Sequence, residues 1–339
     1  MPIGKKMNKK LTALPLIILA GIIFSCGNKQ LLPIIRAAEP FSAGEQIEEV
    51  QIPPEPTRAE RVIKTLLEAY PDMIEKIEFR DDDWALLLKG TWYYFAEGRL
   101  LPEDKRENVA NYRGLSLYPY PEELPPWTPR TPEETERFRS WSDSRRQTTW
   151  RSSYFLDSLW EASTRLETEN SLARITFLGR RIRVHHLIQD KLAAVEAQIR
   201  AAAQTDSEVQ TWINNIGSIE GWHWRNIAQT QNRSYHSYGL AVDILPRALG
   251  ARQTYWLWTS QHREDWWNVS YNERYHPPAA AVKAFEAAGF IWGGKWALFD
   301  TMHFEYRPEI LFFNGLTPRA APPQSVPPAA QSAPLAFAD

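Results

Sequence analysis

Apolar residues along the chain switch between a period of two and a period of three to four, and the switches mark out its elements. Val62, Leu66 and Leu67 fall at helical spacing within Ala59 to Tyr70. Ile77 to Phe79, Trp84 to Leu88 and Thr91 to Phe95 read as strands, with Lys89-Gly90 as a tight hairpin turn. Pro121 to Pro132 breaks the pattern as a proline-rich connector. Thr131-Pro132-Glu133-Glu134 then combines an N-cap, a proline at the first helical position and a capping-box glutamate, so a helical region is expected to about Glu167. A hairpin follows, Ile175 to Leu178 and Ile182 to Val184, turning at Gly179-Arg180. Ile188, Leu192, Val195 and Ile199 form one stripe of a helix, and Gln210 to Ile216 reads as a shorter one. Leu240, Val242 and Ile244 alternate with Ala241 and Asp243, which predicts a strand that buries its aliphatic face and presents Asp243 on the other. Pro277-Pro278 opens a helix over Ala279 to Ala288 that Gly289 ends, and Phe290 to Trp292 returns as a strand.

The two ends of the chain carry no such periodicity. Lys5, Lys6, Lys9 and Lys10 precede an apolar run from Leu11 to Phe24, too short to span a bilayer comfortably, and Ser25 then precedes Cys26. This arrangement resembles a bacterial lipoprotein signal, which implies lipidation at Cys26 and an exported domain held to a membrane of the cell envelope. Cys26 is also the chain's single cysteine, so no intrachain disulfide can form. Residues 27–56, closed by Pro53, Pro54 and Pro56, have the composition of a disordered spacer, and the Pro/Ala-rich residues 317–339 that of a disordered tail.

A chain of 339 residues allows about two domains. Its 39 basic and 41 acidic residues leave a net charge of −2, which argues against a polyanion-binding surface and, with no nucleic-acid module in evidence, against nucleic acid as a partner. The oligomeric state is left open. Fifteen tryptophans, four of them at Trp256, Trp258, Trp266 and Trp267, fit either a substrate-facing loop or aromatic cores.

The candidate chemistry sits in Ser234 to Asp243, S-Y-H-S-Y-G-L-A-V-D, and in Asp300 to Glu305. His236, Asp243 and His303 offer two imidazoles and a carboxylate, the ligand set of a tetrahedral Zn²⁺ with one position open. Other histidines fit less well. His185 and His186 diverge as helix neighbours do, and His262 and His276 lack partners at informative spacing. Asp81-Asp82-Asp83 lacks the glycine and distal glutamate of a calcium loop and reads as a solvated turn.

These motifs resemble those of the M15 zinc peptidases, the D-alanyl-D-alanine carboxypeptidases and L-alanyl-D-glutamate endopeptidases of peptidoglycan, which share the hedgehog/DD-peptidase fold. Ser234, His236, Gly239, Ala241 and Asp243 fill the first motif of that family, Asp300 and His303 the second, and Gly289 to Trp296 resembles the run before it. The resemblance covers roughly residues 175 to 315. It implies Zn²⁺ held by His236, Asp243 and His303, a zinc-activated water attacking a peptide bond of the peptidoglycan stem, and Asp300 as the base. It implies Arg225 as the arginine that steadies the substrate and the developing oxyanion, with Arg233 competing for that place. Glu305 is expected to orient His303 and is the alternative base, while Ser234 supports the motif from outside the ligand set. Carboxypeptidase members often have glutamate where Asp300 stands and endopeptidase members aspartate, which leans toward an endopeptidase.

The expected fold is α+β: a small, mostly antiparallel sheet with the zinc site on one face and helices packed behind, over residues 169–316, preceded by a mixed accessory region at 57–168. The rival from another class is a zinc-containing envelope lipoprotein that binds peptidoglycan or a protein partner without cutting. Asp300 separates the two, since a binder has no need of a carboxylate there.

Overall fold

The computed structural model describes residues 57–147 and 149–319. The expected signal, Cys26 and spacer, and all but the first three residues of the expected tail, lie outside the described residues. Among those described, no helix is long and apolar enough to cross a membrane.

The described part begins with the helix Arg58–Ala69, where Thr57 Oγ1 accepts from the Glu60 amide at 3.2 Å and Val62, Ile63 and Leu66 are buried. A three-stranded antiparallel meander follows: β1 (Ile74–Arg80), β2 (Asp83–Leu88) and β3 (Thr91–Tyr94). Its second turn places Lys89 at φ 50° and Gly90 at φ 73°, the doubly positive pair that suits the twist of a two-residue hairpin. Helix Pro132–Ser144 starts with the expected capping box between Thr131 and Glu134. The helical region does not run on to Glu167. It breaks after Arg145–Gln147 because Ser152 is drawn into extended pairing with Tyr112, where the Arg113 amide donates to Ser152 O at 2.9 Å. Tyr154–Leu159 and Arg165–Asn170 are separate short helices, the second with its own capping box at Thr164 and Glu167.

The next hairpin is β4 (Leu172–Phe177) and β5 (Arg180–His185). It turns at Leu178-Gly179, one residue earlier than expected, because Arg180 is already paired with Phe177 and sends its guanidinium to the carbonyls of Ile216 and Gly217 at 2.7 and 3.1 Å. Helix Gln189–Ala202 buries Leu192, Val195 and Ile199, with Ile188 at its N-cap. Helix Ser207–Asn214, capped by Asp206, stops short of Ile216 because that residue opens a strand.

The strands β6 (Ile216–Glu220), β7 (Ala241–Pro246), β8 (Phe290–Trp292) and β9 (His303–Tyr306) form an antiparallel sheet in the order β6-β7-β9-β8. Phe285, from helix Ala279–Ala287, stacks on Phe304 of β9 with centroids 3.9 Å apart, which seats that helix on one face of the sheet. Mixed α+β structure with small antiparallel sheets is therefore what the chain forms. One hydrophobic core draws on Val62, Leu66 and Tyr70, on Phe155 and Trp160, and on Val242 and Phe304. Trp160 meets Tyr70 and Tyr306 edge-on at 5.7 and 6.0 Å, so residues before 168 and after 169 share the same interior.

The tryptophan-rich insertion forms a smaller core of its own. Trp256 is buried with Val269, Leu298, Phe299 and Phe138, and Trp266 and Trp267 pack against them. Of the four indoles there, Trp258 alone stays exposed, so most of this aromatic density packs within the fold.

Candidate metal centre

His236 lies in the turn Tyr235–Tyr238, just ahead of β7. Ser234 caps that turn, its Oγ accepting from the His236 amide at 3.4 Å, and Gly239 ends it at φ 73°. A Cβ at Gly239 would stand 2.7 Å from the His185 nitrogen and 2.8 Å from Leu172 Cδ2. Gly239→Ala is therefore expected to destabilise the fold by roughly 2–4 kcal/mol and to displace His236, as a urea titration and a metal titration of the same sample would register.

Asp243 faces His303 across the β7/β9 register, and the strand that presents Asp243 runs straight out of the His236 turn. The three side chains each offer a ligand atom, all within 4.8 Å of one another. His303 Nδ1 lies 2.8 Å from Asp243 Oδ1 and 3.2 Å from His236 Nε2, and His236 Nε2 lies 3.1 Å from Asp243 Oδ1. Donors bound at ~2.0 Å around a tetrahedral ion sit about 3.3 Å apart, so this spacing suits one metal.

The outer hydrogen bonds fix the tautomers. His236 Nδ1–H donates to Gly221 O at 2.6 Å, which leaves the Nε2 lone pair facing the cluster. His303 Nε2–H donates to Glu305 Oε2 at 3.0 Å, which leaves Nδ1 facing it. Glu305 is in turn held through its other oxygen by Arg307 Nη1 at 3.3 Å. Arg307 donates Nε to Glu309, and Glu309 accepts from Tyr70 OH at 2.6 Å. A buried polar chain thus runs from the first helix to a candidate ligand.

The charges follow from this packing. Burial alone would raise the Asp243 carboxyl, but the imidazoles of His236 and His303 hold it far below the usual carboxylate range. Burial would lower His303, yet Asp243 and Glu305 on either side outweigh it and hold the ring up to about 10. Without metal His303 therefore carries a proton on both nitrogens near neutrality. A divalent cation must expel the proton on Nδ1. Affinity should rise roughly tenfold per pH unit up to about pH 10, with about one proton released per ion, measurable by metal titration in weakly buffered solution.

Asp300 borders the cluster and is pushed up to about 7 by burial and by the nearby Asp243 charge. Its Oδ1 is buried and has no hydrogen-bond partner among the described residues. Arg225 Nη2 stands 3.8 Å from Asp243 Oδ2 with its side chain 38% exposed, so the guanidinium is at the mouth of the site and loosely held. Arg233 is placed differently: it pairs with Asp157 at 3.0 Å, donates to Ala162 O at 2.6 Å and stacks on Tyr238. Glu305, with both oxygens engaged, is a positioning group.

Sequence reading missed two aromatic residues at the site. Tyr255 bridges to Asp300 through the backbone, and burial, followed by the Asp300 charge, pushes its phenol up to about 12 while Arg225 and Arg145 pull the other way. Trp296 packs its ring 5.4 Å from that of His303. Trp296 closes the Gly289 to Trp296 run and was within reach of motif reading, whereas nothing local distinguishes Tyr255. The other histidines lie outside the cluster. His185 Nε2 is within 3.0 Å of Trp160 O and its ring stacks on His186, His262 contacts Gln253, and His276 meets Tyr271 O.

Two imidazoles, a carboxylate and a second carboxylate with one oxygen unpartnered among the described residues, gathered at a small antiparallel sheet, define a site able to hold a metal beside a base. Residues 228–306 match the family model of D-alanyl-D-alanine carboxypeptidases. That segment contains His236, Asp243, Asp300, His303 and Glu305, and the match supports a peptidase of the M15 type. Residues 62–116 match a domain of unknown function. No curated protein and no solved structure matched the chain.

Proposed function

We propose that the chain is a zinc peptidase that cuts a peptide bond in the peptidoglycan stem, tethered to a membrane of the bacterial envelope through a lipid on Cys26. The observation that carries this reading is the unpartnered Asp300 Oδ1 beside three converging donor atoms. His236 Nε2, His303 Nδ1 and Asp243 would hold the ion. When bound, zinc supplies Lewis-acid polarisation of a carbonyl and acidifies water. The protein's own part is proton handling and positioning. Asp300, poised near neutrality, takes a proton from water and returns it to the leaving amine. Arg225 offers a charged fork at the mouth of the site to the oxyanion or to a substrate carboxylate. Glu305 keeps the Nε2 proton of His303 in place, so that its Nδ1 lone pair faces the ion. The aspartate at position 300 favours an L-alanyl-D-glutamate endopeptidase over a D,D-carboxypeptidase.

The test is to incubate the zinc-loaded protein with peptidoglycan and separate the products by mass, beside His236→Ala. An internal stem cut absent from the variant identifies the endopeptidase, and loss of one terminal D-alanine the carboxypeptidase. Release of nothing beyond what the variant releases would replace catalysis with the binding reading.

A further inference from the structure

Beside the metal centre lies an open cleft of about 770 Å³, between the β4/β5 hairpin and the end of β6, within the size range of ligand sites. Its walls carry Arg174, Arg181 and Arg183 against a single carboxylate, Glu220, together with Trp222 and His223. Two features make this an unusual surface. Arg174 and Arg183 are direct cross-strand partners, a like-charge pair that costs stability in an antiparallel ladder. Among the described residues no carboxylate forms an ion pair with Arg174, Arg181 or Arg183; Arg183 instead stacks on Trp222 at 4.4 Å. The cleft is also rigidly built. Arg180 clamps the hairpin to Ile216 and Gly217, and the Trp222 amide donates to Arg183 O at 2.7 Å.

The cleft and the metal centre share a wall. Gly221 lines the cleft while its carbonyl accepts from His236 Nδ1, and the His223 amide donates to His236 O at 3.2 Å. Gly221 and His223 thus belong both to the wall of this arginine-lined cleft and to the hydrogen bonds that hold His236.

We infer that this cleft is a subsite for an acidic peptide, binding the free glutamyl carboxylate of the stem. The inference rests on the peptidase reading for the identity of that peptide. Guanidinium forks suit carboxylates, and a pair of arginines held side by side by strand register presents donors from both flanks. The strain of the Arg174/Arg183 opposition is relieved when an anion sits between them.

The test uses the full chain carrying Asp300→Asn, so that binding is read without turnover. A synthetic stem pentapeptide with its glutamyl carboxylate free, and the same peptide with that carboxylate amidated, are titrated calorimetrically at low salt. The free acid is expected to bind about tenfold more tightly, a difference that shrinks as salt screens these exposed charges. Arg174→Gln/Arg181→Gln should abolish the difference, and Arg183→Gln should do the same while raising the thermal midpoint. The double variant leaves the Trp222 stack untouched, so a shifted wall cannot account for its result. Equal binding of the two peptides to the unaltered cleft overturns the inference. So does a preference that survives both sets of substitutions, or arginine-dependent binding to vesicles of 30% phosphatidylglycerol without peptide binding. Cleavage is not needed for the readout: a peptide bound with this preference but never cut by the Asp300 protein sinks the peptidase reading alone.

Discussion

Asp300→Asn is expected to lower turnover by a factor on the order of 10³, within the span that a positioned acid–base contributes, while zinc still binds with unchanged stoichiometry. The amide keeps the shape of the carboxylate but cannot accept the proton. The same substitution should make the metal-free protein more stable. Asp300 is raised from an ordinary carboxyl value to about 7 by burial and by Asp243, so the folded state resists its ionisation. The penalty is absent below pH ~4, grows as pH rises toward 7, and is constant above that. At pH 8 the variant should therefore exceed the wild type by roughly 2–4 kcal/mol, and the two should converge near pH 4. Urea titrations at the two pH values check this. A variant that loses both activity and stability would mean that Asp300 braces the fold.

The second large effect is on Arg307→Met. Arg307 is buried between Glu305 and Glu309, donates to Ser116 O at 2.8 Å, and lies 4.6 Å from the ring of Tyr235. Removing the guanidinium strands two carboxylates in the interior, at an expected cost of about 3–5 kcal/mol. Glu305 would then lose the donor that holds its other oxygen and be less firmly fixed against His303 Nε2–H. Zinc affinity should fall by about 10- to 100-fold, although no ligand has been touched. Adding Glu305→Gln and Glu309→Gln to Arg307→Met should restore much of the stability and none of the affinity, which a paired urea and zinc titration would separate.

The site was legible to the extent that its chemistry is written locally. His236, Gly239 and Asp243 belong to one turn and the strand that leaves it, so residue type and spacing reveal them together. Glu305 was readable because residues two apart share a strand face. Arg225 was preferred to Arg233 only on its place ahead of the motif, since the physical difference between them is Asp157, which holds Arg233 from 76 residues away. Tyr70 and Glu309 stand 239 residues apart, and no periodicity signals their hydrogen bond. The fold followed the same rule. Capping boxes and positive-φ turns were visible, whereas the break after Gln147 depends on pairing between Ser152 and Tyr112. The tryptophans of the insertion show that composition does not tell a small core from a binding surface.

The polar chain from Tyr70 to His303 also bears on what can be exchanged. The residues proposed to do chemistry all follow Gly221, yet the proton that fixes His303 is held by Glu305, which depends on Arg307, which depends on Glu309, Ser116 and, through Glu309, Tyr70. A transplant of the ligand-bearing half onto a different N-terminal partner would carry every candidate ligand and the proposed base, and lose hydrogen bonds that keep His303 oriented. Tyr70 and Ser116 are thus inherited with the site they never touch, and the smallest portion of this chain that can be swapped as a piece reaches from the first helix to the last.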